Sequence, residues 1–365
     1  MFEGGRISER QAIFLIIATI TPAMVVIMPG LIYKEAAQDF WLSVILVTAL
    51  GVAGGAVIAD LGMRFPDRNI VQYGELLVGR LPGKVIGLLF IVFVLYANTI
   101  FFREFAENLV TMFMPETPML VFLIGLAIAS AYIVRSGLEV LSRVNEILVP
   151  VVTFMGFLLV ALASPEMQIN NFTPVLEKGI MPVLKGTSPA ALLFGETIFI
   201  LMFIPYLNRP QKAKRAILKG IVISGLLSLI FLSTAVAVLG DRTARVLFPN
   251  MVATRQISIA ELIERVEPLA VFIWVSGGVM KVSILYYCTV LAMAQWLNLK
   301  EYKALVLPAG VLMTVLSVVL WENFLELTGQ ITKILPPIFL SIEFGLPLLL
   351  LMTAYLRGKG GSGEA

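Results

Sequence analysis

Gly277-Gly278-Val279-Met280-Lys281 lies inside the apolar run from Leu269 to Leu297, and its reading decides the fold. A run of that length crosses a bilayer, which takes ~20 mostly apolar residues. This one carries a lysine near its middle, one turn after a glycine pair. On insertion scales a lysine at that depth costs ~2.5–3.5 kcal/mol, so it faces a bundle interior or a wet cavity and finds a partner there. Two readings stand open for Lys281: a structural ion pair or snorkelling chain, and a fixed cation where a transporter would hold one. Gly277 shares its face and leaves room for a neighbouring backbone.

The rest of the chain has the same character. Of 365 residues, 59% are hydrophobic and 14% charged, with mean hydropathy +0.93; soluble domains carry about 25% charged residues. The chain is therefore an all-α integral membrane protein. The absence of histidine removes histidine catalysis, metal sites and proton relays together. The single cysteine, Cys288, sits in an apolar run, which excludes internal disulfides and cysteine-cluster metals. No nucleophile–base pair, phosphate-cradling glycine loop or metal spacing appears, so the sequence implies no enzyme, cofactor or metal. The basic run Arg209–Arg215 lies beneath a span and reads as an anchor contacting anionic membrane lipids, not nucleic acid. The first apolar run, after Arg6 and Arg10, is too long for a signal-peptide core and lacks a cleavage site.

Ten spans are expected, at about 10–32, 40–63, 84–112, 118–135, 145–163, 187–206, 216–239, 268–297, 303–321 and 333–356. With the N-terminus inside, 17 of the 27 Lys and Arg residues fall in inner segments and 8 in outer ones, which places both termini in the cytoplasm. Asn69 caps a short amphipathic helix, Ile70 to Arg80, on the inner side. Ser258-Ile259-Ala260-Glu261 has capping-box spacing and opens a helix to about Arg265 on the outer side. These helices stand five spans apart on opposite faces. Leu61-Gly62-Met63-Arg64 and Leu239-Gly240-Asp241-Arg242 close the corresponding spans 2 and 7. The pattern is a single transmembrane domain of two five-span halves with inverted topology, about 8–163 and 187–356, followed by a flexible cytoplasmic tail, 357–365.

That plan calls for a broken first span in each half. Span 1 has Thr21-Pro22-Ala23-Met24 at its middle and Pro29-Gly30 near its outer end; Pro22 removes a donor and crowds the preceding turn. Span 6 has Phe194-Gly195-Glu196-Thr197 at mid-depth and then Pro205. Backbone groups freed at such breaks must be satisfied by protein, water or ligand. In span 3, Tyr96, Thr99, Arg103 and Glu107 share one helix face. Arg103 and Glu107, at i and i+4, form a local pair near the outer interface, while Tyr96 and Thr99 lie deeper and suit a pocket wall. Glu196 and Glu343 are the acidic counterparts of Lys281 at mid-depth, and the sequence leaves open which one meets it.

The order of several short motifs resembles the spore germination receptor B-subunit family, within the amino acid–polyamine–organocation transporter superfamily. The likeness runs from Ser8-Glu9-Arg10-Gln11 to Tyr355. It is carried by Met28-Pro29, Ala36 to Leu42, Arg64-Phe65-Pro66, Tyr73-Gly74-Glu75, Arg135-Ser136-Gly137-Leu138-Glu139, Arg143 and Pro150. Later carriers are Asn171-Phe172-Thr173-Pro174-Val175-Leu176 with Gly179, Phe194-Gly195-Glu196 and Pro205-Tyr206. The resemblance implies a LeuT/APC-like fold with helices 1 and 6 broken. It implies a small germinant, typically an amino acid, bound between those breaks and helices 3, 8 and 10. It further implies a sensor working with an A subunit and a lipoprotein C subunit in the spore inner membrane. Carried onto this chain, the pocket takes in Thr21, Pro22, Ala23, Met24, Val25, Tyr96, Leu193, Phe194, Gly195, Glu196, Thr197 and Phe339. Relatives often have a glycine pair in the first break; Met24 here implies a smaller or more apolar pocket. Lys281 then lies close to where sodium-coupled relatives hold their ion, which implies sodium-independent function. The alternative function is a sodium-independent amino-acid transporter, proton-coupled or facilitated.

Overall fold

A computed structural model describes residues 4–257 and 266–360, so the helix expected from Ser258 lies outside the described residues. The chain folds into helices α1 (Glu9–Val26), α2 (Met28–Ala36), α3 (Phe40–Arg64), α4 (Ile70–Val78), α5 (Arg80–Met112), α6 (Met119–Arg135) and α7 (Leu138–Ala163). There follow α8 (Met181–Gly195), α9 (Ala213–Leu239), α10 (Pro249–Thr254), α11 (Glu267–Trp296), α12 (Lys303–Val319), α13 (Phe324–Lys333), α14 (Leu335–Leu340) and α15 (Leu346–Leu356). Among the described residues, eight stretches are long and apolar enough to cross a bilayer, and α12 with α13, bent by 97°, makes a ninth. The 17-residue α6 stands at the fourth expected span, so every expected interval falls on a helix and the count is consistent with ten.

The caps follow the sequence. Ser8 and Gln11 form a reciprocal capping box on α1, and Asn69 and Gln72 do the same on α4. Helix α4 stops at Val78, short of the expected Arg80, because Gly79 takes a left-handed φ of 95°.

The chain enters span 1 beside the point where it leaves span 6. Ile7 N–H donates to the Tyr206 carbonyl at 2.9 Å, and Asn208 N–H donates to the Ile7 carbonyl at 2.9 Å. The two spans therefore run in opposite directions. Packing follows an exchange rule: α9 lies on α1 as α3 lies on α8, and α12 lies on α5 as α11 lies on α6. An inverted repeat produces this relation.

The break in span 1 is not where Pro22 led us to expect it. Helix α1 continues through Thr21-Pro22-Ala23-Met24 and ends at Val26, and Ile27 separates it from α2. Pro29 explains the shift. It sits in the first turn of α2, where a missing N–H costs nothing. The carbonyl it would have served is that of Val25, which instead accepts from the Asn250 side-chain amide of α10 at 2.5 Å. Span 6 breaks where expected: α8 ends at Gly195 and the chain tightens into a 3₁₀ turn from Glu196 to Met202. Span 10 is interrupted by a π-helical turn, Ser341–Gly345, that the sequence reading lacked; such bulges often mark functional positions.

The beginning of the expected flexible tail is tied down. Lys359 donates to the Leu76 carbonyl at 2.9 Å, and Arg64 donates to the Lys359 carbonyl at 2.6 Å while lying over the Tyr355 ring. Residues 357–360 are thus held by α3 and α4, whose ends offer the charge and carbonyl that the tail matches.

Candidate functional site

Helix α11 is buried almost continuously from Met280 to Ala292, and Lys281 within it is 0% exposed. Its ammonium donates to Glu196 Oε2 at 2.6 Å and to the Thr19 carbonyl at 2.9 Å, and it lies 5.0 Å from the centre of the Phe101 ring. One cation therefore joins span 8 to span 1, to the break in span 6 and to the wall of span 3. Of the two carboxylates left open by the sequence, Glu196 is the partner. A cation within about 6 Å of a ring face adds further attraction. Such a buried pair gains little net stability over an apolar substitute, but removing one partner strands the other.

Two more carboxyl groups belong to this neighbourhood. Glu343, on the π-helical turn, is fully buried, and neither of its oxygens has a hydrogen-bond partner. It presses on Gly195: a Cβ at that glycine would run into the Glu343 carboxyl. Glu104 on α5 is 2% exposed, with Oε1 unpartnered. Both lie within electrostatic range of Lys281 and Glu196. Sequence reasoning missed Glu104 because it followed the stripe through Tyr96, Thr99, Arg103 and Glu107. The neighbouring stripe, Ala97, Phe101, Glu104 and Asn108, also recurs at helical spacing and is buried along its whole length; a carboxylate and an amide on it were the available signal. The hydroxyls of Thr21 and Ser283 are also buried without partners. Among the described residues, no group of three or more histidine, cysteine or acidic side chains is placed to hold a metal ion.

Arg103 does pair with Glu107, at 3.1 Å, but its main task lies elsewhere. Its Nη1 donates to the carbonyls of Ser317 and Trp321, each at 3.2 Å, where α12 ends and the chain bends sharply into α13. A cation suits a helix C-terminus. Arg103→Ala is expected to lower the apparent melting temperature, since a hydrogen bond to a charged group contributes about 1.5–3 kcal/mol. Arg103→Lys, lacking the planar fork, should recover only part of the loss in the same thermal assay.

The other expected ligand residues divide among separate surroundings. Thr21, Pro22 and Val25 line a cavity between spans 1, 5, 7 and 8, whereas Ala23 and Met24 are fully buried outside it. Phe194 packs against Gly51. The Thr197 hydroxyl donates to the Phe194 carbonyl at 2.7 Å, and the Thr99 hydroxyl is taken by its own helix. Leu193 is buried beside the break. Tyr96 donates to Gln330 of α13 at 3.3 Å and meets Trp321 and Phe339 edge-on, so Tyr96 and Phe339 are brought together, as expected of helices 3 and 10.

Comparison with known proteins adds the family. A family model described as "Spore germination protein" matches residues 6–325. The chain is 28% identical to spore germination protein KB of Bacillus subtilis (strain 168), covering 98% of this chain and 96% of that one. It is 26% identical to spore germination protein YndE of the same organism, covering 98% of each. Among solved structures, MhsT in complex with L-phenylalanine superposes with a TM-score of 0.68 at 16% identity, covering 95% of this chain and 89% of that one. Mhp1, a nucleobase-cation-symport-1 family transporter, superposes with a TM-score of 0.70 at 11% identity, covering 98% and 80%. At such identities the structural likeness speaks for the fold alone. The match over most of the chain and the broken-helix architecture lead to one assignment: this chain belongs to the spore germination protein family and has a LeuT-like transporter fold.

Proposed function

We propose that this chain is the transporter-like membrane subunit of a spore nutrient-germinant receptor. It binds a small germinant, an amino acid, at mid-membrane and signals to an A subunit and a lipoprotein C subunit. It sits in the spore inner membrane with both termini in the cytoplasm. In this reading the first and second repeats, about 8–163 and 187–356, move against one another when the ligand binds. The observation that carries it is the single ammonium of Lys281, which ties span 8 to spans 1 and 6 at the level of the break. A ligand that reorders the Gly195–Glu196 break must shift that tie, and a shift of packed spans is something partner subunits can read. Ala23, Met24, Leu193 to Thr197, Tyr96 and Phe339 are the pocket residues of this proposal.

Lys281 occupies its site with its own charge, so binding is expected not to depend on sodium. Purified protein tested against a panel of radiolabelled amino acids should bind its ligand equally in sodium and potassium salts of the same ionic strength. A steep rise with sodium would overturn the fixed-cation role. The second reading, a sodium-independent amino-acid transporter, rests on the same Lys281 tie between spans 1, 6 and 8, which a transport cycle would also move. Accumulation of the bound amino acid in proteoliposomes under a pH gradient would select it.

A further inference from the structure

The cavity against Thr21, Pro22 and Val25 has no part in that reading. Its cavity volume is about 120 Å³, and its walls come from α1, α7, α9, α10 and α11. It begins at Ile17 and Met280, in the middle of spans 1 and 8, passes Thr21 and Gly277, and ends beside Ala163 and Ile257, on the face opposite the N-terminus. Along α7 the lining runs from Val149 to Ala163, which is ~21 Å of helix at 1.5 Å per residue. Half of a ~30 Å hydrocarbon core is of that order. The cavity is a groove one leaflet deep.

Its chemistry selects an apolar occupant. Three of the polar side chains along it are bonded within the protein: Thr234 donates to the Ile230 carbonyl at 3.0 Å, Thr254 to that of Asn250 at 2.8 Å, and Asn250 to that of Val25 at 2.5 Å. The Thr21 hydroxyl has no partner, and the walls are otherwise mostly apolar. Water needs two to four polar partners to settle in such a space; methylene groups need none. The outer surface beside the groove is lipid-facing, with Phe154 of α7 70% exposed and Leu226 of α9 55% exposed. The lining residues Val152, Thr153 and Phe231 are themselves only half-buried, so the groove opens toward the surface this protein presents to the bilayer.

We propose that the groove binds one acyl chain of a bilayer phospholipid, drawn from the leaflet opposite the N-terminus. The chain's end reaches Pro22 and Gly277, which hold spans 1 and 8 together: a Cβ at Gly277 would lie 3.3 Å from Pro22 Cγ. Lys281 is one helical turn away. Occupancy of the groove therefore sets the spacing of the two spans that the Lys281 ammonium ties.

Trp274 makes this measurable. It lines the groove, is 2% exposed and stacks on Phe105. The full-length protein is reconstituted in phosphatidylcholine carrying bromine at the middle of its acyl chains, and in the same lipid without bromine. The emission of Trp274 is taken as the difference between the parent and Trp274→Phe. It is expected to lose at least half its intensity in the brominated bilayer, despite its burial from the protein surface. Thr153→Phe, which fills the groove from α7, should restore that emission. Unquenched Trp274 in the parent overturns the proposal. So does equal quenching in Thr153→Phe, since bromine would then arrive by another route.

Discussion

Lys281→Met is expected to cost about 3–5 kcal/mol, because it leaves the Glu196 carboxylate buried without its cation. Glu196 is 6% exposed and takes the Lys281 ammonium on Oε2, so lysine removal strands a full charge between spans 1, 6 and 8. Glu196→Gln strands the ammonium in turn, though the Thr19 carbonyl and the Phe101 ring remain to it; its loss should be the smaller of the two. The double variant Lys281→Met, Glu196→Gln removes both charges and should recover most of the stability. Apparent melting temperatures of the four proteins in one detergent make a double-mutant cycle. Strong coupling is the expected outcome. Additive losses would show that the two groups do not share a contact, and the proposed tie between spans 1, 6 and 8 would fail with it.

How much of this was readable beforehand depends on the kind of residue. Charges in apolar runs are legible: the cost of Lys281 in lipid forces a partner, and Glu196 and Glu343 were the candidates that depth allowed. Distinguishing them requires tertiary geometry, because both sit beside the break and only one points at the ammonium. Prolines are legible as breaks but not as their exact place. Pro22 stays inside a helix, while Pro29 begins a new one because Asn250, more than two hundred residues later, takes the carbonyl it frees. The helical periodicity of span 3 offered two polar stripes, and the more polar one, with Arg103 and Glu107, drew attention from the one that is buried along its whole length and holds Glu104. The division of Thr21, Pro22 and Val25 from Ala23 and Met24 follows from which neighbours surround span 1. No local pattern encodes that.

Gly195→Ala tests the other half of the site, and its effect is expected to be large for a single methyl group. The added Cβ would meet Oε2, Cδ and Cβ of Glu343, the last at 2.8 Å. Overpacking of a well-filled core costs about 1–3 kcal/mol, and here the obstructing group is a carboxyl without a hydrogen bond to redirect it. The strain falls on the junction where α8 gives way to the 3₁₀ turn that carries Glu196, so the lysine contact should be displaced as well. Glu343→Gln keeps the bulk and should not relieve the variant. Glu343→Ala, which removes Cδ and both oxygens, should restore most of the melting temperature when combined with Gly195→Ala. Amino-acid binding is expected to follow the same order, lost in Gly195→Ala and regained in the double variant. A Gly195→Ala protein as stable as the parent would mean that Glu343 does not lie against the break. Recovery by Glu343→Gln would shift the cause from the volume of that side chain to its charge.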